Sequence, residues 1–133
     1  MGVVLIDIGA GTTDIAVFSG GAIRHTAVLP VAGELITSDI AMTLRTPTED
    51  AEDIKLQHGC AKQLLADPET HIEVTGLSGR PPRLLSKQVL SGVIEPRIEE
   101  IFSLVQKEVQ DAGFEHLVSS GVVLKVKIPV FLL

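Results

Sequence analysis

The sequence predicts an α/β fold, in which a β-meander is followed by helices and a mostly helical α+β segment is inserted before a final strand. Three observations support this class. Apolar runs separated by glycine-containing turns occupy residues 2–29, and helical periodicity dominates the middle of the chain. A strand-like run returns at 121–133, where Pro129 fits an edge strand or a strand end. We therefore expect one sheet built from both ends of the chain and a smaller lobe from its middle.

The predicted meander consists of strands at 2–8, 13–18 and 23–29. The first, GVVLIDI, is almost continuously apolar, as expected for a strand buried on both faces. A turn at 9–12 connects it to the second strand. The paired glycines of SGGA at 19–22 predict the next turn, because glycine adopts positive φ without a Cβ clash.

Two helices are predicted after the meander. The first covers about 33–45, where apolar residues recur along one stripe. The second covers 47–58 and begins with a capping box. In that motif Thr46 caps the helix, Pro47 takes the first helical position and Glu49 follows three residues after the cap.

The remaining middle of the chain alternates short and long elements. A short helical piece is predicted in CAKQLLAD at 60–67, a strand in HIEV at 71–74 and a loop at 76–83. Helical periodicity then extends over 86–112, where Pro96 predicts an interruption or a kink after the first turns. The apolar stripe of this segment is formed by Ile94, Ile98, Ile101, Val105 and Val109.

Composition narrows the class of protein. The chain has 133 residues, of which 45% are hydrophobic, enough for a buried core and unlike a disordered protein. The net charge is -6 with no basic stripe, which disfavours nucleic-acid binding. The single cysteine, Cys60, excludes an internal disulfide and fits a reducing compartment. No apolar run reaches the roughly 18 residues of a membrane span, so we expect a cytoplasmic chain without a membrane segment.

The turn between the first two strands carries the pattern Asp-x-Gly-x-Gly-Thr-Thr-Asp. Gly9 and Gly11 allow backbone N–H groups to point into one concavity, and such a concavity binds anions. Asp7 at the strand end could hold a Mg²⁺-bound water facing the same phosphates, and Thr12 adds a hydroxyl. The alternative is a plain hairpin loop with solvated acids. The position of the pattern between two apolar strands favours a phosphate-binding loop.

These residues carry a family resemblance. The run DIGAGTTDIAVFSGGAIRHTAVLPVAG resembles the second phosphate loop and the following hairpin of the actin and sugar-kinase superfamily. More closely, residues 2 to about 124 resemble the bacterial actin-like cell division family FtsA. The supporting stretches are GGAIRHT, AGELITSDIA, TPTEDAEDIKLQHGCA, GRPPR and VIEPRIEEIFSLV. The resemblance covers almost the whole chain but only a middle part of the family's proteins.

The resemblance implies an actin-like, ribonuclease H-like fold that binds ATP and Mg²⁺ between two lobes. It implies part of subdomain 2A at 1–45 and 117–133, with subdomain 2B inserted at 46–116. Asp7 would also serve the metal, and Glu52 and Lys55 would reach the ribose and adenine. The nucleotide-binding residues implied in this way are Asp7, Gly9, Ala10, Gly11, Thr12, Gly33, Glu52 and Lys55.

The sequence departs from the family at two places. Ala10 stands where the family has glycine, which would matter if the turn required positive φ. After GVVL at 121–124 the family continues with a glycine-rich adenosine loop, whereas this chain reads KVKIPVFLL. We therefore expect a truncated fragment with little or no ATPase activity. It would lack the first phosphate loop, subdomains 1A and 1C and the C-terminal amphipathic membrane helix.

The resemblance also implies a protein partner. Subdomain 2B of the family binds the acidic C-terminal peptide of the tubulin-like protein FtsZ, and the matching residues here are Arg83, Arg97 and Glu100. Arg97 and Glu100 are three residues apart on one helical face, and the arginine fork binds carboxylates bidentately. Arg80 and Lys87 lie nearby in the sequence and add positive charge. The alternative is that these are ordinary solvated charges of an amphipathic helix.

For the full-length family, the resemblance implies self-association into an actin-like filament at the inner face of the bacterial membrane, at the division septum. Three functions stay open for this chain. It is an FtsA-like ATP-binding protein that links the FtsZ ring to the membrane, a free-standing FtsZ-tail-binding module without nucleotide, or a sugar- or acyl-kinase relative. A kinase needs an acceptor site and a general base, and the sequence shows neither, so no catalytic residue is assigned. The scattered histidines have no metal-ligand spacing.

Overall fold

The structure is a computed structural model that describes residues 2–118 and 121–126. Its elements, in chain order, are β1 (Gly2–Ile8), β2 (Thr13–Ser19), β3 (Ala22–Leu29), α1 (Gly33–Leu44), α2 (Thr48–His58), a short 3₁₀-helix (Gln63–Leu65), β4 (His71–Val74), β5 (Arg83–Ser86), α3 (Lys87–Asp111), α4 (Glu115–Val118) and β6 (Val122–Val126). The described chain forms two compact units. The first contains residues 2–33, 100–118 and 121–126, and the second contains residues 34–99.

The first unit is built on a four-stranded sheet with the order β3-β2-β1-β6. The meander β1–β2–β3 is antiparallel and β6 returns parallel to β1, so the predicted three strands and the return strand are confirmed. Gly20 and Gly21 have φ values of 62° and 79°, which confirms the glycine turn between β2 and β3. The part of the predicted terminal strand beyond residue 126, including Pro129, lies outside the described residues.

Strand alternation gives the two faces of this sheet different characters. On one face, the side chains of β1 and β2 are buried together with those of the second half of α3. The buried residues of this face are Val4, Ile6, Ile8, Ile15, Val17, Val105 and Val109. On the opposite face, Asp7 of β1 lies directly across from Asp14 of β2, next to the turn that joins the two strands. The acidic end of the sheet is therefore on the face that α3 leaves open.

The second unit combines most of α1 with α2, a β4–β5 hairpin and the first half of α3. Its core is formed by the inward stripes of these elements, which are Ile36, Ile40, Leu44, Ala51, Ile54, Ile72, Val74, Leu90, Ile94 and Ile98. Strand β5 begins at the end of the predicted 76–83 loop and pairs antiparallel with β4. The sequence did not predict β5. A strand of four residues is too short to show a clear alternation of apolar and polar residues, and it is stabilised by pairing with its neighbour.

One local prediction was wrong, and one of the two alternatives predicted at Pro96 is excluded. Helix α2 begins at Thr48 after Pro47, which makes no side-chain cap, and the Thr46 hydroxyl is buried without a partner among the described residues. The predicted capping box is therefore absent. Helix α3 is a single helix from Lys87 to Asp111 with Pro96 inside it, so the predicted break is excluded, and the predicted kink stays a prediction. Pro96 is exposed, and the buried residues on the opposite stripe hold the helix together across the single missing N–H.

The compact units divide the chain at other points than the subdomains expected from the resemblance. Residues 34–45 group with the middle of the chain, and residues 100–116 group with the sheet. The physical reason is that α1 makes its side-chain hydrogen bonds to α2 and to the first half of α3. The assignment of subdomains 2A and 2B remains a prediction. Among the described residues, no helix is both long enough and apolar enough to cross a membrane.

Candidate functional site

The β1–β2 turn is compact and closed by its own backbone. The Gly9 N–H donates to the Thr12 carbonyl over 2.9 Å. A Cβ on Gly9 would lie 3.2 Å from that carbonyl oxygen, so a side chain there would crowd the turn. Ala10, Gly11 and Thr12 are exposed, with Ala10 and Gly11 at the tip. The turn therefore presents its tip to solvent, where an anionic group can approach the backbone amides.

Ala10 adopts an ordinary backbone conformation. Among the described residues, positive φ outside glycine occurs only at Arg45 and Ser78. Ala10 does not have a positive φ, so it lacks the backbone strain that the sequence analysis considered. Its backbone conformation is open to any L-residue. Alanine in place of the family's glycine is compatible with this turn.

Gly33 is tied directly to this turn. Its N–H donates to the Gly9 carbonyl over 3.1 Å, and the Thr13 hydroxyl donates to the Val31 carbonyl over 2.6 Å. Both bonds hold the connection between β3 and α1 against the turn. Gly33 belongs to the first unit together with the turn, so these bonds fix the end of this connection beside the loop.

The acidic pair beside the turn is suited to a cation. Asp7 and Asp14 face each other across β1 and β2, an arrangement that is destabilising for two like charges. Both line an open depression of about 290 Å³. One carboxylate oxygen of Asp7, Oδ1, is buried and has no hydrogen-bond partner among the described residues. A bound cation would satisfy this oxygen and offset the repulsion.

The chemistry of this pair fits Mg²⁺ better than a metal held entirely by protein. No group of three or more His, Cys, Asp or Glu side chains that could share an ion occurs within residues 2–118 and 121–126. Mg²⁺ commonly keeps several waters and takes only one or two carboxylates, with phosphate oxygens completing its coordination. Metal binding by Asp7 stays a prediction, and it requires no further protein ligand.

In the second unit, Glu52 and Lys55 form a connected group with Thr37 of α1. The Lys55 ammonium is 2.8 Å from the Glu52 carboxylate and donates to the Thr37 hydroxyl over 2.8 Å. The Thr37 hydroxyl donates in turn to Glu52. Lys55 is almost fully buried, with 3% of its side chain exposed, whereas 43% of the Glu52 side chain is exposed. The Glu52 carboxylate is therefore accessible to solvent, and the buried Lys55 ammonium stabilises its negative charge.

These contacts set the pKa of Glu52. Partial burial alone would raise the pKa of this carboxyl group. The hydrogen bonds from Lys55 and Thr37, together with the Lys55 charge, outweigh burial and hold the pKa below its ordinary value of 4.5. Glu52 is thus ionised at neutral pH.

Thr37→Val is expected to destabilise the chain by about 2 kcal/mol, because the buried Lys55 ammonium and the Glu52 carboxylate each lose a hydrogen-bond partner. Urea unfolding at neutral pH measures this change. Thr43→Val is the matched control, since Thr43 is an exposed residue of the same helix. Its effect is expected to stay within about 0.5 kcal/mol.

The Thr37→Val effect should depend on pH. A carboxyl group whose pKa is lower in the folded protein contributes stability above its unfolded pKa of 4.5, and this contribution disappears as the pH falls through the folded value. The difference between wild type and Thr37→Val should therefore shrink in acid. An undiminished difference well below pH 4.5 would show that the hydroxyl acts through packing rather than through ionised Glu52.

The predicted partner residues are already engaged within the protein. Arg83, half-buried on β5, donates from Nη2 to the carbonyl of Leu44 at the end of α1. Arg97 on α3 makes a bidentate ion pair with Asp39 of α1, with Nε–Oδ2 at 2.7 Å and Nη2–Oδ1 at 2.9 Å. About a quarter of each side chain in this pair is exposed. Glu100 is an exposed residue of α3 that belongs to the first unit.

Three residues of these sites were not assigned from the sequence. Asp14 closes the quoted motif, but its position opposite Asp7 depends on the hairpin register. Thr37 and Asp39 sit on the predicted α1, where nothing local distinguishes them from neighbouring polar residues. Their partners lie 15 to 58 residues away in the sequence. Only the packing of α1 on α2 and α3 reveals these roles.

The fold and the turn place this chain among proteins of the actin-like fold. The structure of MreB5 from Spiroplasma citri bound to ADP superposes with a TM-score of 0.75 and 25% sequence identity, over 95% of this chain and 42% of that one. A MamK mutant bound to AMPPNP superposes with a TM-score of 0.68 and 18% identity, over 96% and 42% of the two chains. The predicted actin-like α/β fold is thereby confirmed.

Sequence comparison assigns the chain to one family within this fold. The model of the family described as "Cell division protein FtsA" matches residues 4–129. The FtsA protein of Pseudomonas aeruginosa is 55% identical over 124 residues, and that of Escherichia coli K12 is 47% identical over 131 residues; each alignment covers 93% of this chain. The chain belongs to the FtsA family. It spans only 30% and 31% of the lengths of these two relatives.

Proposed function

We propose that this chain is part of an FtsA-type cell division protein, in which the β1–β2 turn binds the phosphates of an adenine nucleotide and the segment expected to be subdomain 2B, residues 46–116, binds the acidic C-terminal peptide of FtsZ. The observation that carries the nucleotide part is the buried, unpartnered Oδ1 of Asp7 beside a turn to which Gly33 is hydrogen-bonded. Neither the fold nor the relatives favour a kinase, and no described residue is assigned a catalytic role.

Each residue of the turn has a distinct proposed role. Backbone amides of the tip face the phosphates, the Thr12 hydroxyl adds a donor, and Gly33 lies beside the nucleotide. Asp7 binds Mg²⁺, which would neutralise phosphate charge. The ADP in MreB5 and the AMPPNP in MamK support a nucleotide as the ligand class. We also propose that Glu52 and Lys55 contact the ribose and the adenine of the nucleotide.

The peptide part depends on Arg97. Its guanidinium already binds one carboxylate bidentately, so its geometry suits the side chain or terminus of an acidic peptide. A peptide carboxylate that takes the same edge must displace Asp39. Arg83 and Glu100 complete the proposed contact residues, and Arg83 retains further N–H groups beyond the one bound to Leu44.

The remaining family properties are proposals for the whole protein. A MamK double helical filament is among the structural neighbours, which supports self-association as a filament. By family resemblance, the full-length protein would act at the inner face of the bacterial cell membrane, at the division septum, where it would link FtsZ to the membrane.

Two titrations of the 133-residue chain test this function. Isothermal titration calorimetry with ADP, with and without Mg²⁺, tests the turn, and titration with an FtsZ C-terminal peptide tests the proposed contacts of Arg83, Arg97 and Glu100. We expect Mg²⁺-dependent nucleotide binding and peptide binding that weakens with added salt. A folded chain that binds neither ligand would contradict the proposal.

A further inference from the structure

Thr37 of α1 makes hydrogen bonds to both charged side chains of the group formed with Glu52 and Lys55 on α2. Its hydroxyl accepts from the Lys55 ammonium over 2.8 Å and donates to Oε2 of the Glu52 carboxylate. The Lys55 ammonium lies 2.8 Å from the same Oε2. A hydroxyl has one proton to donate and lone pairs to accept, so it can serve a cation and a carboxylate at the same time. The three side chains therefore form a closed arrangement.

This arrangement uses only one of the two carboxylate oxygens of Glu52. The contacts of Thr37 and Lys55 are both made to Oε2, so neither of them occupies the second oxygen, Oε1. A ligand can reach the carboxylate, because 43% of the Glu52 side chain is exposed. An ionised carboxylate only accepts hydrogen bonds, so a ligand that binds it must bring a donor.

The two contacts to Oε2 also fix the direction of the carboxylate. An exposed glutamate samples many rotamers, and a ligand that binds it must offset the loss of this freedom. Here the anchor is in place before a ligand arrives, since Thr37 is buried with 4% exposed and belongs to a different helix from Glu52. The packing of α1 on α2 therefore preorganises Glu52 for binding.

The charges of the group favour an uncharged donor over a second cation. The Lys55 ammonium, with 3% of its side chain exposed, already compensates the negative charge of Glu52. A cation bound at the other carboxylate oxygen would lie close to this ammonium and would be repelled by it. An uncharged hydroxyl donates to the carboxylate without that repulsion. A sugar hydroxyl is a group of this kind.

We propose that Thr37 is a positioning residue, which holds Glu52 in the orientation that accepts a hydrogen bond from a ribose hydroxyl. The proposal rests on the ribose contact proposed above for Glu52 and adds the residue on which that contact depends. Thr37 acts through Oε2 of Glu52 and does not touch the ligand. Its hydroxyl therefore determines how strongly the protein distinguishes ADP from 2′,3′-dideoxy-ADP, which lacks both ribose hydroxyls.

Calorimetric titrations of the 133-residue chain with these two nucleotides, in the presence of Mg²⁺, test this role. We expect the wild type to bind ADP about tenfold more tightly, as for one charge-assisted hydrogen bond. Thr37→Val should reduce this preference to about twofold, whereas Thr37→Ser keeps the hydroxyl and should retain it. Thr43→Val, at an exposed position of α1, is the control and should also retain it. Because the preference compares two ligands on the same folded chain, a loss of stability in Thr37→Val does not change it.

A second titration separates this role from the proposed function. Adenosine, which carries no phosphate, is added while the ¹³C NMR signal of the Glu52 carboxyl group is followed, with 2′,3′-dideoxyadenosine as the comparison. A shift that only adenosine causes, present in Thr37→Ser and lost in Thr37→Val, would support the role even if the chain binds no ADP and the proposed function fails. An equal preference for ADP in wild type and Thr37→Val would overturn the role and leave nucleotide binding standing. A Glu52 signal that adenosine does not move would also overturn it.

Discussion

Arg97→Glu is expected to abolish binding of the FtsZ C-terminal peptide, whereas Asp39→Asn is expected to tighten it. The reason is that Asp39 occupies the Nε–Nη2 edge of the Arg97 guanidinium, the same edge that a peptide carboxylate would use. Loss of a hydrogen-bonded charge partner weakens binding by at least about 30-fold, and the reversed charge adds repulsion. Fluorescence anisotropy with a labelled peptide measures both effects.

Asp39→Asn keeps the shape of the side chain but removes the charge that competes for Arg97. Because about a quarter of each side chain is exposed, we expect this ion pair to contribute about 1 kcal/mol to folding, and its loss to tighten peptide binding about fivefold. Stability and affinity should therefore change in opposite directions. Asp53→Asn, an exposed residue of α2, removes the same charge elsewhere in the unit and should leave affinity near that of wild type.

Other outcomes are equally informative. Weaker peptide binding in Asp39→Asn would show that Asp39 orients Arg97 rather than competing with the peptide. Wild-type affinity in Arg97→Glu would place the peptide elsewhere on the protein. Circular dichroism and urea unfolding of each variant separate these results from a loss of fold.

The elements that the sequence predicted well are those determined by local pattern. The meander follows from apolar runs and paired glycines, and both are properties of neighbouring residues. The turn after Asp7 could be recognised because its glycines and hydroxyls are contiguous. The family resemblance then supplied the fold, which periodicity alone would have left as a general α/β class.

The features that the sequence missed depend on partners distant in the chain. The ion pair of Arg97 with Asp39 joins residues 58 positions apart, and nothing local selects Asp39 over other acids. Thr46 matched a capping motif, but the helix starts one residue further on and the hydroxyl is buried instead. Pro96 matched a helix-breaking rule, but the buried stripe on the opposite side of α3 keeps the helix continuous. Tertiary contacts decide in each of these cases.

Asp7→Asn is expected to stabilise the ligand-free chain and to remove the effect of Mg²⁺ on nucleotide binding. In the wild type, Asp7 faces Asp14 across the two strands, and this repulsion costs folding about 0.5 kcal/mol. The buried Oδ1 without a partner adds to the cost, and an amide carries no charge to desolvate. The same substitution removes the negative charge that would hold the metal.

Thermal unfolding with ADP, in the presence and absence of Mg²⁺, measures both effects of Asp7→Asn. At a ligand concentration 100 times its Kd, binding stabilises a protein by about 2.7 kcal/mol, and the Mg²⁺-dependent part of that gain should vanish in Asp7→Asn. Asp14→Asn is the matched control, because it relieves the same repulsion while leaving the buried oxygen of Asp7 in place. It should gain ligand-free stability and keep the Mg²⁺ effect. If both variants lost the Mg²⁺ effect equally, the two carboxylates would share the cation. If neither lost it, Asp7 would destabilise the fold without binding a metal.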